Sequence, residues 1–198
     1  MGLFEDPYGK TFKNRKRHSP ESVKLAKTIA DESTVLLKNE NQLLPLDAKS
    51  LKSIAIIGPN ADQVQFGDYT WSRNNKDGVT PLQGIKNRVN KNTAIHYAKG
   101  CSLTSLDTSG IAEAVEAAKN SEVAVIFGGS ASAALARDYK SSTCGEGFDL
   151  NDLNLTGAQS QLIREVYRTG TPVILVLVTG KPFVIEWEKN NLPAILVQ

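Results

Sequence analysis

The feature that most constrains the fold is an alternation between short apolar runs rich in β-branched residues and longer segments whose apolar residues recur at helical spacing. Five such runs, at 53–58, 94–97, 123–127, 173–178 and 194–197, read as strands. Between them, Leu82, Ile85 and Val89, then Ile111, Ala114, Val115 and Ala118, then Leu162, Ile163 and Val166 each line one face of a helix. A shorter helix carries Phe183 and Trp187 after Lys181-Pro182. Apolar runs without polar alternation are buried on both faces, and consecutive parallel strands need a crossover of about a dozen residues or more. The order therefore predicts an α/β fold: a three-layer sandwich around a mainly parallel sheet of five to six strands, flavodoxin-like in appearance.

Helix-start signals sharpen the pattern. Ser19 before Pro20, followed by Val23, Ala26, Ile29, Ala30, Leu36 and Leu37 on one face, predicts a helix from residue 20 to near Asn39. Thr80-Pro81-Leu82-Gln83 and Thr156-x-x-Gln159 both carry the capping-box spacing. Upstream, residues 1–18 mix Pro, Gly, Asn and basic residues without a period and read as an extended arm. Residues 19–198 then form one domain, a size that suits the 40% hydrophobic content.

Composition narrows the function classes. A net charge of +2 does not ask for a polyanion, and the basic run at 13–17 lies outside any apolar period, so it reads as a solvated linker and not as a nucleic-acid contact. No apolar run approaches the roughly 20 residues that cross a bilayer, and the first residues lack the basic start and apolar core of a signal peptide. No membrane partner is therefore expected. Cys101, Cys144, His18 and His96 are too few and too scattered for a disulfide framework or a zinc site. Gly128-Gly129-Ser130 has neither the spacing nor the lysine of a phosphate-cradling loop, no dinucleotide fingerprint follows a strand, and no nucleophile elbow is present. No cofactor and no metal are called for.

Sheets of this kind place functional loops at the carboxyl ends of their strands. Three loops qualify: 58–62 running into Phe66, Tyr69 and Trp71; 128–130 continuing to Glu146; and 179–182. Glu146, set between Gly145 and Gly147, with Asp149 downstream and Asp138 upstream, offers carboxylates on a segment free to move against a substrate. By residue type alone, solvated loop carboxylates account for this stretch better than catalysis does, because single carboxylates carry little specificity.

Longer stretches add to this. Gly145-Glu146-Gly147-Phe148-Asp149, followed by Leu153, Leu155, Gly157, Gln159 and Leu162-Ile163, resembles the second, α/β-sandwich domain of glycoside hydrolase family 3. Glu32-Ser33-Thr34-Val35-Leu36-Leu37-Lys38-Asn39-Glu40, Ile56-Ile57-Gly58-Pro59-Asn60-Ala61, Thr80-Pro81-Leu82-Gln83-Gly84-Ile85 and Gly180-Lys181-Pro182 agree in the same order. The resemblance implies a parent in which a (β/α)8 barrel with a nucleophilic aspartate precedes this domain, residues 1–18 being the linker between them and 194–197 a strand that runs on into further elements. It implies retaining hydrolysis of a β-linked oligosaccharide or glycoside, of β-glucosidase or β-xylosidase type, in an enzyme whose relatives are often periplasmic or secreted. Glu146 matches the acid/base position. Asp149, Phe148, Tyr69 and Trp71 make up the substrate-facing candidates, the aromatics offering flat apolar faces to a sugar ring. The chain departs from the family at Leu150, where many members have Arg, and at Thr156, where many have Pro. The alternative is a non-catalytic carbohydrate-binding or scaffolding domain that shapes the mouth of a barrel.

Overall fold

In a computed structural model of the protein, residues 4–8, 18–67, 69–70, 78–132, 143–146 and 151–198 are described. They fall into two units, Met1–Thr34 and Val35–Gln198. Most of the arm predicted at 1–18 lies outside the described residues.

The first unit holds helix α1 (Pro20–Ser33). Its start follows the sequence signal: Ser19 accepts a hydrogen bond from the Ser22 amide at 3.2 Å, and Pro20 takes the first helical position. Its end does not. The helix expected to reach Asn39 stops at Ser33, Thr34 is extended, and Val35–Asn39 forms strand β1. This strand runs antiparallel to β6 (Ala194–Val197), with Val35 opposite Val197 and Asn39 opposite Ala194. A three-residue apolar run such as Val35-Leu36-Leu37 satisfies both the helical and the strand period, so local pattern cannot decide it. The open edge of β6 decides it by offering backbone partners.

In the second unit the strands stand in the order β1-β6-β5-β4-β2-β3, where β2 is Ser53–Ile57, β3 Ala94–Ala98, β4 Ala124–Gly129 and β5 Val173–Val178. Every pairing except β1–β6 is parallel, as the alternating pattern requires. His96, in β3, pairs with Ala55 of β2. From β2 the chain steps outward to β3, then returns past β2 to β4 and continues to β5 and β6. The strand order thus reverses between β2 and β4, which opens a crevice at their carboxyl ends.

Side chains one residue apart on a strand point to opposite faces, and both faces are apolar here. Ala55, Ile57, Ala124, Ile126, Leu175 and Leu177 face α3 (Ile111–Lys119) and α4 (Gln159–Tyr167), burying Ile111, Ala114, Leu162, Ile163 and Val166, with Trp187 of α5 (Glu186–Asn191) at the margin. Ile54, Ile56, Val125, Phe127, Ile174 and Val176 face the other way, against Leu82 and Ile85 of α2 (Pro81–Arg88) and the connector leucines Leu43, Leu44, Leu46 and Leu51. These are the three expected layers. Phe183 precedes α5, which begins at Glu186, and packs against the core edge.

The two capping-box spacings behave differently. Thr80 caps α2, its hydroxyl accepting from the Gln83 amide at 3.2 Å. Thr156 instead donates to the Leu103 carbonyl at 2.6 Å, and α4 begins only at Gln159. Gln159 is buried, with its side chain turned toward the end of β4.

Candidate active site

Strand β4 leaves the sheet through Gly128-Gly129. Gly129 has φ 117°, and a Cβ there would stand 2.3 Å from the Val178 carbonyl oxygen, so only glycine permits this approach of β4 to β5. The following Ser130 amide donates to the same carbonyl at 2.9 Å. Ala131 then pairs with a residue twelve positions on: the Thr143 amide donates to the Ala131 carbonyl at 3.0 Å, and the Ala131 amide donates to Thr143 Oγ1 at 3.0 Å. Cys144 adds an amide bond to the same carbonyl at 3.3 Å. With Thr143 buried, the excursion that leaves at Ala131 returns to the same spot, and a closed neck forms.

Beyond the neck the chain turns outward at Gly145, whose φ is 124°, and Glu146 emerges exposed. Its carboxylate accepts a hydrogen bond from the Tyr69 hydroxyl. Tyr69 sits in the loop after β2 and is 85% exposed. A cleft of ≈ 380 Å³ lies beside this contact along the carboxyl edge, lined by Gln65, Phe66, Ser130, Gly145 and Thr179 among others. All three predicted rim loops reach it.

Two further buried side chains hold the rim. Asn60, in the loop after β2, donates through Nδ2 to the carbonyls of Gly128 at 3.3 Å and Ser130 at 3.1 Å, and its Oδ1 accepts from Gln65 Nε2 at 2.9 Å. From the other side, Gln159 accepts the Gly129 amide at 2.8 Å and donates to the Gly129 carbonyl at 3.1 Å. On the third loop, Thr179 Oγ1 lies 3.2 Å from the Ser130 hydroxyl and donates to the Lys181 carbonyl at 2.7 Å. Lys181 Nζ stands 4.9 Å over the Phe183 ring.

Of the residues singled out from sequence, Glu146 and Tyr69 meet directly. Phe148, Asp149, Trp71 and Asp138 lie outside the described residues. Cys144 is half-buried at the neck, whereas Cys101 is buried after β3, where desolvation pushes its thiol up to about 11. Among the described residues, no three His, Cys, Asp or Glu side chains gather as a metal site, and no helix is long and apolar enough to cross a membrane. Sequence reasoning did not assign Asn60, Thr143 or Gln159 to the site. Asn60 lay in a predicted rim loop without its residue type marking it, Thr143 carried no local signal, and for Gln159 the capping-box spacing pointed elsewhere.

The architecture is that of a doubly wound α/β domain whose carboxyl-edge loops present a glycine-supported carboxylate beside an open cleft. Residues 34–198 match the Glycosyl hydrolase family 3 C-terminal domain, and the chain belongs to that family. A β-xylosidase of Formosa agariphila is 40% identical over 182 residues, covering 89% of this chain and 24% of the relative. A periplasmic β-glucosidase of Salmonella typhimurium is 34% identical over 99% of this chain and 28% of its own length. Among solved structures, a β-glucosidase from Erythrobacter marinus superposes with a TM-score of 0.79 at 30% identity, covering 99% of this chain and 29% of that one. The chain therefore spans about a quarter of the length of the relatives it matches.

Proposed function

We propose that this chain is the second domain of a retaining β-glycoside hydrolase of β-glucosidase or β-xylosidase type, with Glu146 as its acid/base. The observation that carries this reading is the placement of Glu146 beside the carboxyl-edge cleft, three residues beyond the Ala131–Thr143 neck, in a chain of this family. The substrate is a β-linked oligosaccharide or glycoside. The partner is a (β/α)8 barrel in the parent chain, to which residues 1–18 lead.

In the first step a carboxylate of the barrel attacks the anomeric carbon, the bond to the leaving oxygen breaks, and Glu146 delivers its proton to that oxygen. In the second, Glu146 takes a proton from water, the water oxygen attacks the anomeric carbon, and the enzyme carboxylate departs. Direct displacement by one carboxylate while the other serves the leaving group requires the pair to stand roughly 5–5.5 Å apart. Tyr69 orients the Glu146 carboxylate through its hydroxyl and keeps an open ring beside the cleft. With Phe148 and Trp71 it offers apolar faces to sugar, and Asp149 supplies a polar contact.

The test uses the full-length enzyme. Glu146→Ala should slow hydrolysis of glycosides with poor leaving groups by about 10²- to 10⁴-fold, the usual worth of a general acid, while activated dinitrophenyl glycosides suffer less. Added azide should restore turnover by attacking the glycosyl-enzyme without needing a base, releasing a glycosyl azide. Absence of azide rescue would assign the acid/base to another residue. A rise in KM with kcat intact would instead favour a non-catalytic, mouth-shaping domain.

A further inference from the structure

Two buried amides grip the exit of β4 from opposite sides. Gln159 bonds both the amide and the carbonyl of Gly129, as a neighbouring strand would, at 2.8 and 3.1 Å. Its close approach is possible because Gly128 has no side chain: a Cβ there would lie 2.9 Å from Gln159 Oε1. Asn60 bridges the carbonyls on either side, Gly128 and Ser130. Both residues are essentially inaccessible, at 0% and 1% for Asn60 and Gln159. A buried amide with its donors and acceptors met is a stiff element, since breaking one bond leaves a buried polar group unsatisfied.

The chain converts that stiffness into position. Residues 128–130 are held by the two amides, Ala131 is the next residue, and Ala131 is the anchor of the neck from which Glu146 projects. Asn60 also receives Gln65, which lines the cleft in the same loop that supplies Tyr69. One side chain thus ties the loop bearing Tyr69 to the loop bearing Glu146.

We propose that Asn60 and Gln159 are positioning residues for the acid/base: together they clamp the β4 exit and set where Glu146 stands relative to the scissile bond. This rests on the assignment of Glu146 made above.

The experiment compares Asn60→Asp, Gln159→Met and Gln159→Glu with Glu146→Ala in the full-length enzyme. Asn60→Asp keeps the acceptor for Gln65 and loses both carbonyl bonds. Gln159→Met conserves shape and loses every hydrogen bond, and Gln159→Glu keeps only the acceptor, which serves if the Met variant does not fold. For glycosides with poor leaving groups kcat/KM should fall roughly 10- to 100-fold, the range that a misplacement of about 1 Å produces. Dinitrophenyl glycosides, whose departure needs no proton, should keep near-normal kcat/KM, while their kcat and KM fall together because the water step still needs Glu146 as base, and azide should restore that kcat. Equal losses of kcat/KM on both substrate types, with a lowered Tm, would make the amides mere supports of the sheet edge and overturn the proposal, as would unchanged kinetics in all three. If Glu146→Ala itself shows no leaving-group dependence, the acid/base assignment fails first and the clamp loses its object. If Glu146→Ala shows it and the amide variants do not, only the clamp is refuted.

Discussion

The exit of β4 and the segment that carries Glu146 are joined by a few hydrogen bonds, yet they are held in contrasting ways. At 128–131 the backbone is buried and bonded to Asn60, Gln159, Thr143 and β5. Past Thr143 the chain passes from half-buried Cys144 to exposed Glu146, where the Tyr69 hydroxyl meets the carboxylate from a loop that is itself exposed. The group proposed to do chemistry stands in the outward part, and under the proposal above the geometry it needs is set in the inward part, so that an exposed carboxylate inherits its position from a buried anchor.

The largest blow to the inward side is Leu162→Ala. This residue is buried beneath the sheet end, and the cavity left should lower unfolding free energy by about 2–5 kcal/mol, read as a shift in denaturant midpoint. Next comes Gly129→Ala, which forces a side chain to 2.3 Å from the Val178 carbonyl at φ 117°. Strain of about 1–3 kcal/mol is expected, and a melting curve equal to that of the parent chain would show that β4 and β5 can part more easily than this geometry implies. Thr143→Val strikes the junction between the two regions. Losing the acceptor for the buried Ala131 amide should remove about 1–3 kcal/mol of stability, while amide exchange at Cys144 and Glu146 quickens and that of β4 does not.

The smallest effect lies away from both regions. Burial raises the Cys101 thiol from 9.0 to about 11, so the unfolded chain loses this proton first. Its contribution is fully present below pH 9 and is lost as pH rises through 11. Thermal unfolding followed across that window should decline less steeply in Cys101→Ala, with no change in exchange at the neck.

Much of the fold was legible because its signals are local. Runs such as 123–127 and 173–178 are apolar without alternation, which marks strands covered on both faces, and the intervening stripes mark helices. The end of α1 was not legible, since Val35-Leu36-Leu37 suits either period and only the free edge of β6 settles the matter. At the site, the glycines beside Glu146 and the family resemblance singled out the carboxylate. Gln159 escaped because a spacing that suits a helix cap was put to use across the sheet edge instead.

What the sequence determined by itself was five of the six strands and the helices between them, that the sheet is mainly parallel, and that Glu146 lies on a loop following the carboxyl end of β4. Each of these follows from periodicity, burial preference or turn chemistry within a dozen residues or so. Tertiary structure alone decided which groups meet. Gln159 reaches Gly129 across 30 residues, Asn60 reaches Ser130 across 70, and Tyr69 reaches Glu146 across 77. Backbone donors and acceptors are alike in every residue, so their partners are chosen by where the topology brings the strand ends together, at the reversal between β2 and β4.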